Sequence, residues 1–456
     1  SGNAVVMLRG NTLTAASGST LPIVGNATTS AASNYLNTRG LRVGGATTTN
    51  GAVTLSGNSK SADGLLVQDG AINVNTGSLT LNGVSTATGS LGGAAGVAIN
   101  KAITLNNGTS LAITGNTLNQ GTATVAESGV YINAAIGQAS GQTTAGNISI
   151  TGSSGSYANS NGVVISASGT VATGAGNIAI VGQRAVGGMG AAVSTAASVT
   201  STSGNVTLQS IGGTVTQTAG TISGANITID NTGAGLTSLI ADTTGGQPTL
   251  AIGTALGGSI NAATGAITAG SRLNVNAGAV SIAGALATPG NINILGNVAT
   301  TTNSGVNLAS TGSATTSGSG SIIKIQSNGN VVAGGAIGNT GSSGATSSIN
   351  LTSTSGSVSG SGTLTSNGVT ASGGGMTIHT ALAGTMSGAI SGAGSLTKTG
   401  AGTTVLTATN SYSGTSTVST GVLQIGDGGT TGTLGTGAVI DNASLVFNRS
   451  NSVTVA

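Results

Sequence analysis

The sequence predicts an all-β chain wound as an elongated parallel β-helix, a β-solenoid. Three observations predict it: two short apolar-x-apolar elements that recur in phase, abundant Gly with almost no Pro, and a near absence of charged and aromatic residues.

Composition comes first, because it removes the ordinary alternatives. Of 456 residues, 4% are charged and 1% aromatic, with 83 Gly and 3 Pro, whereas a soluble domain carries about 25% charged residues. One Phe and no Trp cannot fill a thick core. A thin core lined by Val, Ile, Leu and Ala can be filled, and the 37% hydrophobic content suits it. A flexible Gly/Ser linker would share the composition but lacks alternating β-branched residues.

Those residues do alternate, and they repeat. A Gly followed by an apolar-x-apolar triplet recurs at Gly64, Gly96, Gly129, Gly162 and, more loosely, Gly190, at steps of 32, 33, 33 and 28 residues. A second element keeps the same phase: Leu79-Thr-Leu81, Leu111-Ala-Ile113, Ile148-Ser-Ile150, Ile178-Ala-Ile180 and Val206-Thr-Leu208. An earlier copy begins at Gly40, with Val53-Thr-Leu55 as its second element. A fixed period of this length marks a stacked repeat architecture.

The clearest copy holds three period-two segments, Leu65 to Val67, Ile72 to Val74 and Leu79 to Leu81. Three strands and three corners describe one coil of a triangular helix. Alternation sends Leu79 and Leu81 to one side and Thr80 to the other, and the apolar side must face the bore. Parallel strands usually need a helical crossover, but no 3.6-residue apolar pattern persists here, so the coil is itself the crossover. Each coil then pairs with its neighbours at about 4.8 Å and is stable only in an array.

Corners are expected where Gly and Asn gather, since tight turns favour φ > 0. Gly-Asn precedes a strand at Asn147, Asn177, Asn205, Asn291 and Asn330, and stacked Asn side chains can form amide ladders along the axis. Pro248 and Pro289 fall in expected loops, where a missing N–H costs no ladder bond. The resulting organisation is a solenoid start at 1–39, about 32-residue repeats at 40–210, an irregular continuation at 211–390 and a distinct region at 391–456.

Charge excludes a nucleic-acid role. The net +3 comes from ten scattered basic residues, with no cluster to answer a row of phosphates and no aromatic platform for bases. Cysteine is absent, so no disulfide staples the fold. No signal peptide and no apolar run of membrane-spanning length is seen, as expected of a mature or excised piece.

The segment Gly394 to Gly426 resembles the passenger-associated strand repeat of autotransporter proteins. The repeat has a Leu-x-Lys-x-Gly-x-Gly start, an Asn-x-Tyr-x-Gly middle and a Gly-x-Leu-x-Ile end. Lys398, Gly400, Gly402, Asn410, Tyr412, Gly414, Gly421, Leu423 and Ile425 match it. Ala408-Thr409 departs from the Ser-Gly often found before the Asn, and Leu434-Gly-Thr-Gly with Leu445-Val-Phe-Asn448 looks like the usual continuation. The upstream repeats more weakly resemble filamentous-haemagglutinin-like secreted adhesins. The resemblance implies a right-handed β-helical passenger, exported across a Gram-negative outer membrane by a translocator, with a role in adhesion, aggregation or biofilm.

Chemistry is expected to be absent: no catalytic, cofactor-binding or metal residue is assigned. Ser321-Ile-Ile-Lys324 with Lys398-Thr-Gly400 is similar to the pattern of serine β-lactamases and penicillin-binding enzymes. That motif needs a helix, whereas strand alternation sends Ser321 and Lys324 to opposite sides. His379, the only histidine, should point outward between Met376 and Ile378, without a carboxylate nearby in sequence. Among the acids Asp63, Asp69, Glu127, Asp230, Asp242, Asp427 and Asp441, only Asp63 and Asp69 approach a glycosidase-like pair. Tyr35, Tyr131, Tyr157 and Tyr412 are too few for a carbohydrate platform.

The expected function is therefore a structural or adhesive protein at the cell surface. Its expected partners are itself, end to end or side by side, and a host surface, abiotic surface or glycan. A ligand-binding module, either a glycan-binding tip or an ice-binding face, is the alternative. The uneven steps count against a flat ice-binding array.

Overall fold

The computed structural model describes residues 4–27, 39–86, 94–118, 128–138, 146–155, 160–184, 191–211, 215–217, 219–230, 259–262, 266–277, 279–282, 284–288, 290–296, 304–339, 347–367 and 375–453. They form two compact units, Ser1–Leu236 and Thr237–Ala456. Gly190 itself, Pro248, Pro289, Glu127, Asp242, Tyr35 and Tyr157 lie outside the described residues.

In the first unit the described strands pair in parallel with the third strand along the chain, up to the long strand Thr221–Asp230, which pairs with both Val199–Ser201 and Val206–Ile211; this makes a parallel β-helix with three faces. One coil runs Leu65–Val67, Ile72–Val74 and Ser78–Ser85, and the next runs Ala95–Ile99, Ile103–Leu105 and Ser110–Thr117. Leu65 stands over Val97, Ile72 over Ile103, and Leu79 over Leu111. The three predicted segments are thus the three walls of one coil.

Alternation places the core as expected. Leu79 and Leu81 are fully buried while Thr80 between them is partly exposed. Leu41, Leu65, Val97, Val130, Val163 and Val193 form one continuous buried column up the first face. Each such side chain contributes about 1.5–3 kcal/mol on burial, so stacking supplies what one thin coil lacks. The first face departs from one-sided burial: Leu66 and Ala98 point outward yet are buried with Ala95, and Tyr131 packs against them. A small apolar cluster therefore lies outside the bore.

The repeating glycines do a different job from the one expected. A Cβ on Gly83 would lie 1.9 Å from the Gly96 carbonyl oxygen, and one on Gly96 would lie 2.2 Å from the Asn116 nitrogen. Pairs Gly57/Gly64, Gly115/Gly129 and Gly152/Gly162 meet in the same way. The main chains of the third and first faces touch at this vertex, and only hydrogen fits between them. Left-handed φ occurs elsewhere, as at Gly77 with φ 77°, in the turn from second to third face.

The Gly-Asn corners are likewise close approaches: a Cβ on Gly176 would lie 2.0 Å from the Gly146 oxygen. Their asparagines ladder through the main chain. Asn147 Oδ1 accepts from the Asn177 N–H at 2.9 Å, and Asn177 Oδ1 from the Asn205 N–H at 2.8 Å. A side-chain amide ladder forms at the start of the same corner in earlier coils, where Asn106 donates to Asn75 at 3.0 Å and Asn75 to Asn50 at 2.8 Å.

Coil length varies without disturbing register. Val163 pairs with Val193, so Ala192 rather than Gly190 takes the place of Gly162, and Val193 then pairs with Val215 after a much shorter coil. The differences are absorbed between the faces, so unequal steps do not prevent the faces from being regular arrays.

The second unit repeats the three-faced plan, as in Ser304–Leu308, Ser313–Thr316 and Ile322–Ser327. It changes near its end. A separate sheet of Gly384–Met386, Thr403–Leu406, Val422–Ile425 and Ser444–Phe447 forms one wall. Between Leu406 and Ser416 no strand forms at all.

Candidate functional site in the coil at 394–426

The first of two coils without a second strand carries the most specific motif, and side chains do there what a strand does elsewhere. Lys398 sits in the strand Ser395–Thr399, stacked between Ile378 and Val418. Alternation turns it inward with Leu396, and it is 1% exposed. Its Nζ donates to the carbonyl oxygens of Thr399 at 2.7 Å, Gly400 at 2.8 Å and Thr420 at 3.2 Å. Burial lowers its pKa to about 8.

The preceding coils show what the amine replaces. Ser353 Oγ donates to Gly329 and accepts from the Gly356 N–H, and Thr380 Oγ1 donates to Leu382 and accepts from the Val358 N–H. These hydroxyls pin the corner. Gly400 stacks directly on Thr380, has φ 81° and carries no side chain, so Lys398 reaches round to supply the donors. Gly421, with φ 75°, leaves room for it: a Cβ there would lie 2.9 Å from Nζ.

Asn410 is 5% exposed and spans three coils. Its Oδ1 accepts from the Ile390 N–H at 2.9 Å, and its Nδ2 donates to the Thr433 carbonyl at 2.6 Å. One amide thus splices the ladder where the strand is missing. Tyr412 is fully buried and its hydroxyl lies 2.6 Å from Ser416 Oγ. Burial raises its pKa, partly opposed by the Ser416 hydrogen bond. Gly435 makes space for the ring, since a Cβ there would lie 2.5 Å from Cδ2. Leu423 and Ile425 line the bore.

The remaining candidates do not assemble into a site. Ser321 is buried, donating to Gly318 at 2.8 Å and accepting from Asn339. Lys324 lies on the outer side, and burial of its stem lowers its pKa. It stacks with Asn350, Thr377 and Thr397, in a column beside the inward one that contains Lys398. His379 points outward, with Nδ1 3.1 Å from Thr399 Oγ1. Asp63 pairs with Arg39 at 3.1 Å and accepts from the Ala95 N–H, while Asp69 pairs with Arg42. Each acid of the suspected pair is thus held by its own arginine.

The inward turn of Lys398 was legible from Leu396 two residues earlier. The bridging by Asn410 was not, because its partners lie one coil below and one coil above.

These features define a parallel β-helix that carries an autotransporter passenger repeat. Residues 396–425 match the family model described as Passenger-associated-transport-repeat. The chain is also similar to the Adhesin BmaC autotransporter of Brucella suis biovar 1 (strain 1330), 36% identical over 81 residues. That stretch is 18% of this chain and 2% of that protein's length. No solved structure matches.

Proposed function

We propose that the chain is a structural and adhesive segment of a Gram-negative autotransporter passenger, displayed at the cell surface or released from it. The coil at 394–426 carries the proposal: its three buried polar anchors coincide with the matched passenger repeat, and the distant relative bears the name of an adhesin. Export then uses an outer-membrane translocator. Self-association follows from the scarcity of charge, because strand edges are usually protected by charged side chains and this chain has 4%.

Protease treatment of intact cells expressing the parent protein, read with an antibody to this chain, tests display. Cleavage without lysis is expected; protection until lysis overturns the proposal. Deleting the chain in frame should reduce cell aggregation or attachment, and light scattering of the purified chain should show mass growing with concentration.

A further inference from the structure

We infer that the outer third face of the second unit binds an acidic polysaccharide. The inference deepens the adhesive reading and rests on it only in requiring that the face be exposed.

Between Asp242 and Asp427 the sequence holds no acid, and its only basic or imidazole residues are Arg272, Lys324, His379 and Lys398. Lys398 is inside the bore. Lys324 and His379 both stand on the outer side of one flat wall, in adjacent columns. One column runs Asn293, Lys324, Asn350, Thr377 and Thr397, and the other runs Gln326, Thr352, His379 and Thr399. All of these side chains are partly exposed. In the corresponding wall of the first unit the rungs Thr54, Thr80, Ala112 and Ser149 beside Ser56, Asn82, Thr114 and Thr151 bear no charge, and the second of these columns continues through Val181 and Gln209 to an acid, Asp230.

The chemistry selects the partner. Two rungs and one alternate position separate Lys324 from His379, about 12 Å at strand spacing. Nucleic acid, with a charge about every 1.7 Å along a duplex, is far too dense for one ammonium and one imidazole set so far apart. The rungs named here offer no Trp, Tyr or Arg anchor of the kind that dominates protein interfaces, and Leu295, next to Gln326 in its column, is buried and so not free to enter a membrane. Amides and hydroxyls at every rung match a partner that is itself covered in hydroxyls and carries an occasional anion. Without an aromatic platform, recognition must come from hydrogen bonds summed along a polymer, each rung adding to the last.

The test uses the whole 456-residue chain and hyaluronan, with one carboxylate per disaccharide, against neutral dextran and vesicles containing phosphatidylserine. Binding to hyaluronan that weakens with salt is expected, with little to dextran or vesicles. Lys324→Ala with His379→Ala should weaken it about ten-fold or more, as for lost hydrogen bonds to a charged group, and Lys324→Arg should largely restore it in the His379 background. Circular dichroism reports that the variants fold. No hyaluronan binding, equal binding by the double variant, or equal binding to dextran or vesicles overturns the inference. The assay is indifferent to where the chain is displayed, so its failure is separable from failure of the surface reading.

Discussion

Lys398 Nζ donates to the Thr420 carbonyl oxygen 3.2 Å away, tying the corner of one coil to the next through the bore. With its bonds to Thr399 and Gly400, all three donors of the ammonium are used on main-chain oxygens.

Replacing that donor should loosen the coil. Lys398→Met keeps most of the stem but leaves three carbonyls without it, and each unsatisfied buried group costs about 1–3 kcal/mol. Chemical denaturation followed by circular dichroism should show a loss of about 3 kcal/mol or more. A loss below 1 kcal/mol would mean that water or a shifted backbone satisfies those oxygens.

The same amine should imprint a pH dependence. Its pKa falls from 10.5 in the unfolded chain to about 8 in the fold, so between those values the unfolded state binds more protons and stability rises with pH. Tyr412 acts oppositely: with its pKa raised above 10.0, ionisation favours unfolding once pH exceeds that value. Denaturation midpoints should climb from pH 8 toward pH 10, and Lys398→Met should flatten the climb while Tyr412→Phe leaves it intact.

Asn410→Ala removes both splices and should cost about 2 kcal/mol or more. Asn410→Asp keeps the acceptor for the Ile390 N–H but loses the donor to Thr433. Hydrogen exchange should therefore rise at Ile390 in the alanine variant and much less in the aspartate one.

Gly83→Ala forces a methyl group against the Gly96 carbonyl. Overpacking costs about 1–3 kcal/mol, whereas Thr80→Ala on the outer side of the same strand should cost under about 0.5 kcal/mol. Comparable melting curves for the two variants would contradict the touching main chains at this vertex.

Much of this fold was legible before any coordinates. Leu79, Thr80 and Leu81 alternate as a half-buried strand must, and the phase linking Leu65 to Leu79 marks the coil. What misled was the cause assigned to a correct pattern. Gly96 looks like a turn glycine, but its hydrogen is demanded by the Asn116 main chain at the vertex between two faces, a contact that sequence spacing does not announce. The loose copy at Gly190 failed for a related reason: register is set by Val193 against Val163, and a search for a glycine cannot see that. Outward Leu66 escaped because alternation says which way a side chain points, not whether something lies over it.

Unequal coils with equal walls have a further meaning. The segment joining the strand ending at Ser85 to the one starting at Ala95 can lengthen or shorten while Leu79 still meets Leu111, and loop closure grows only slowly more costly with length. Such a scaffold can acquire new surface decoration by insertion, one junction at a time, without renegotiating its interior.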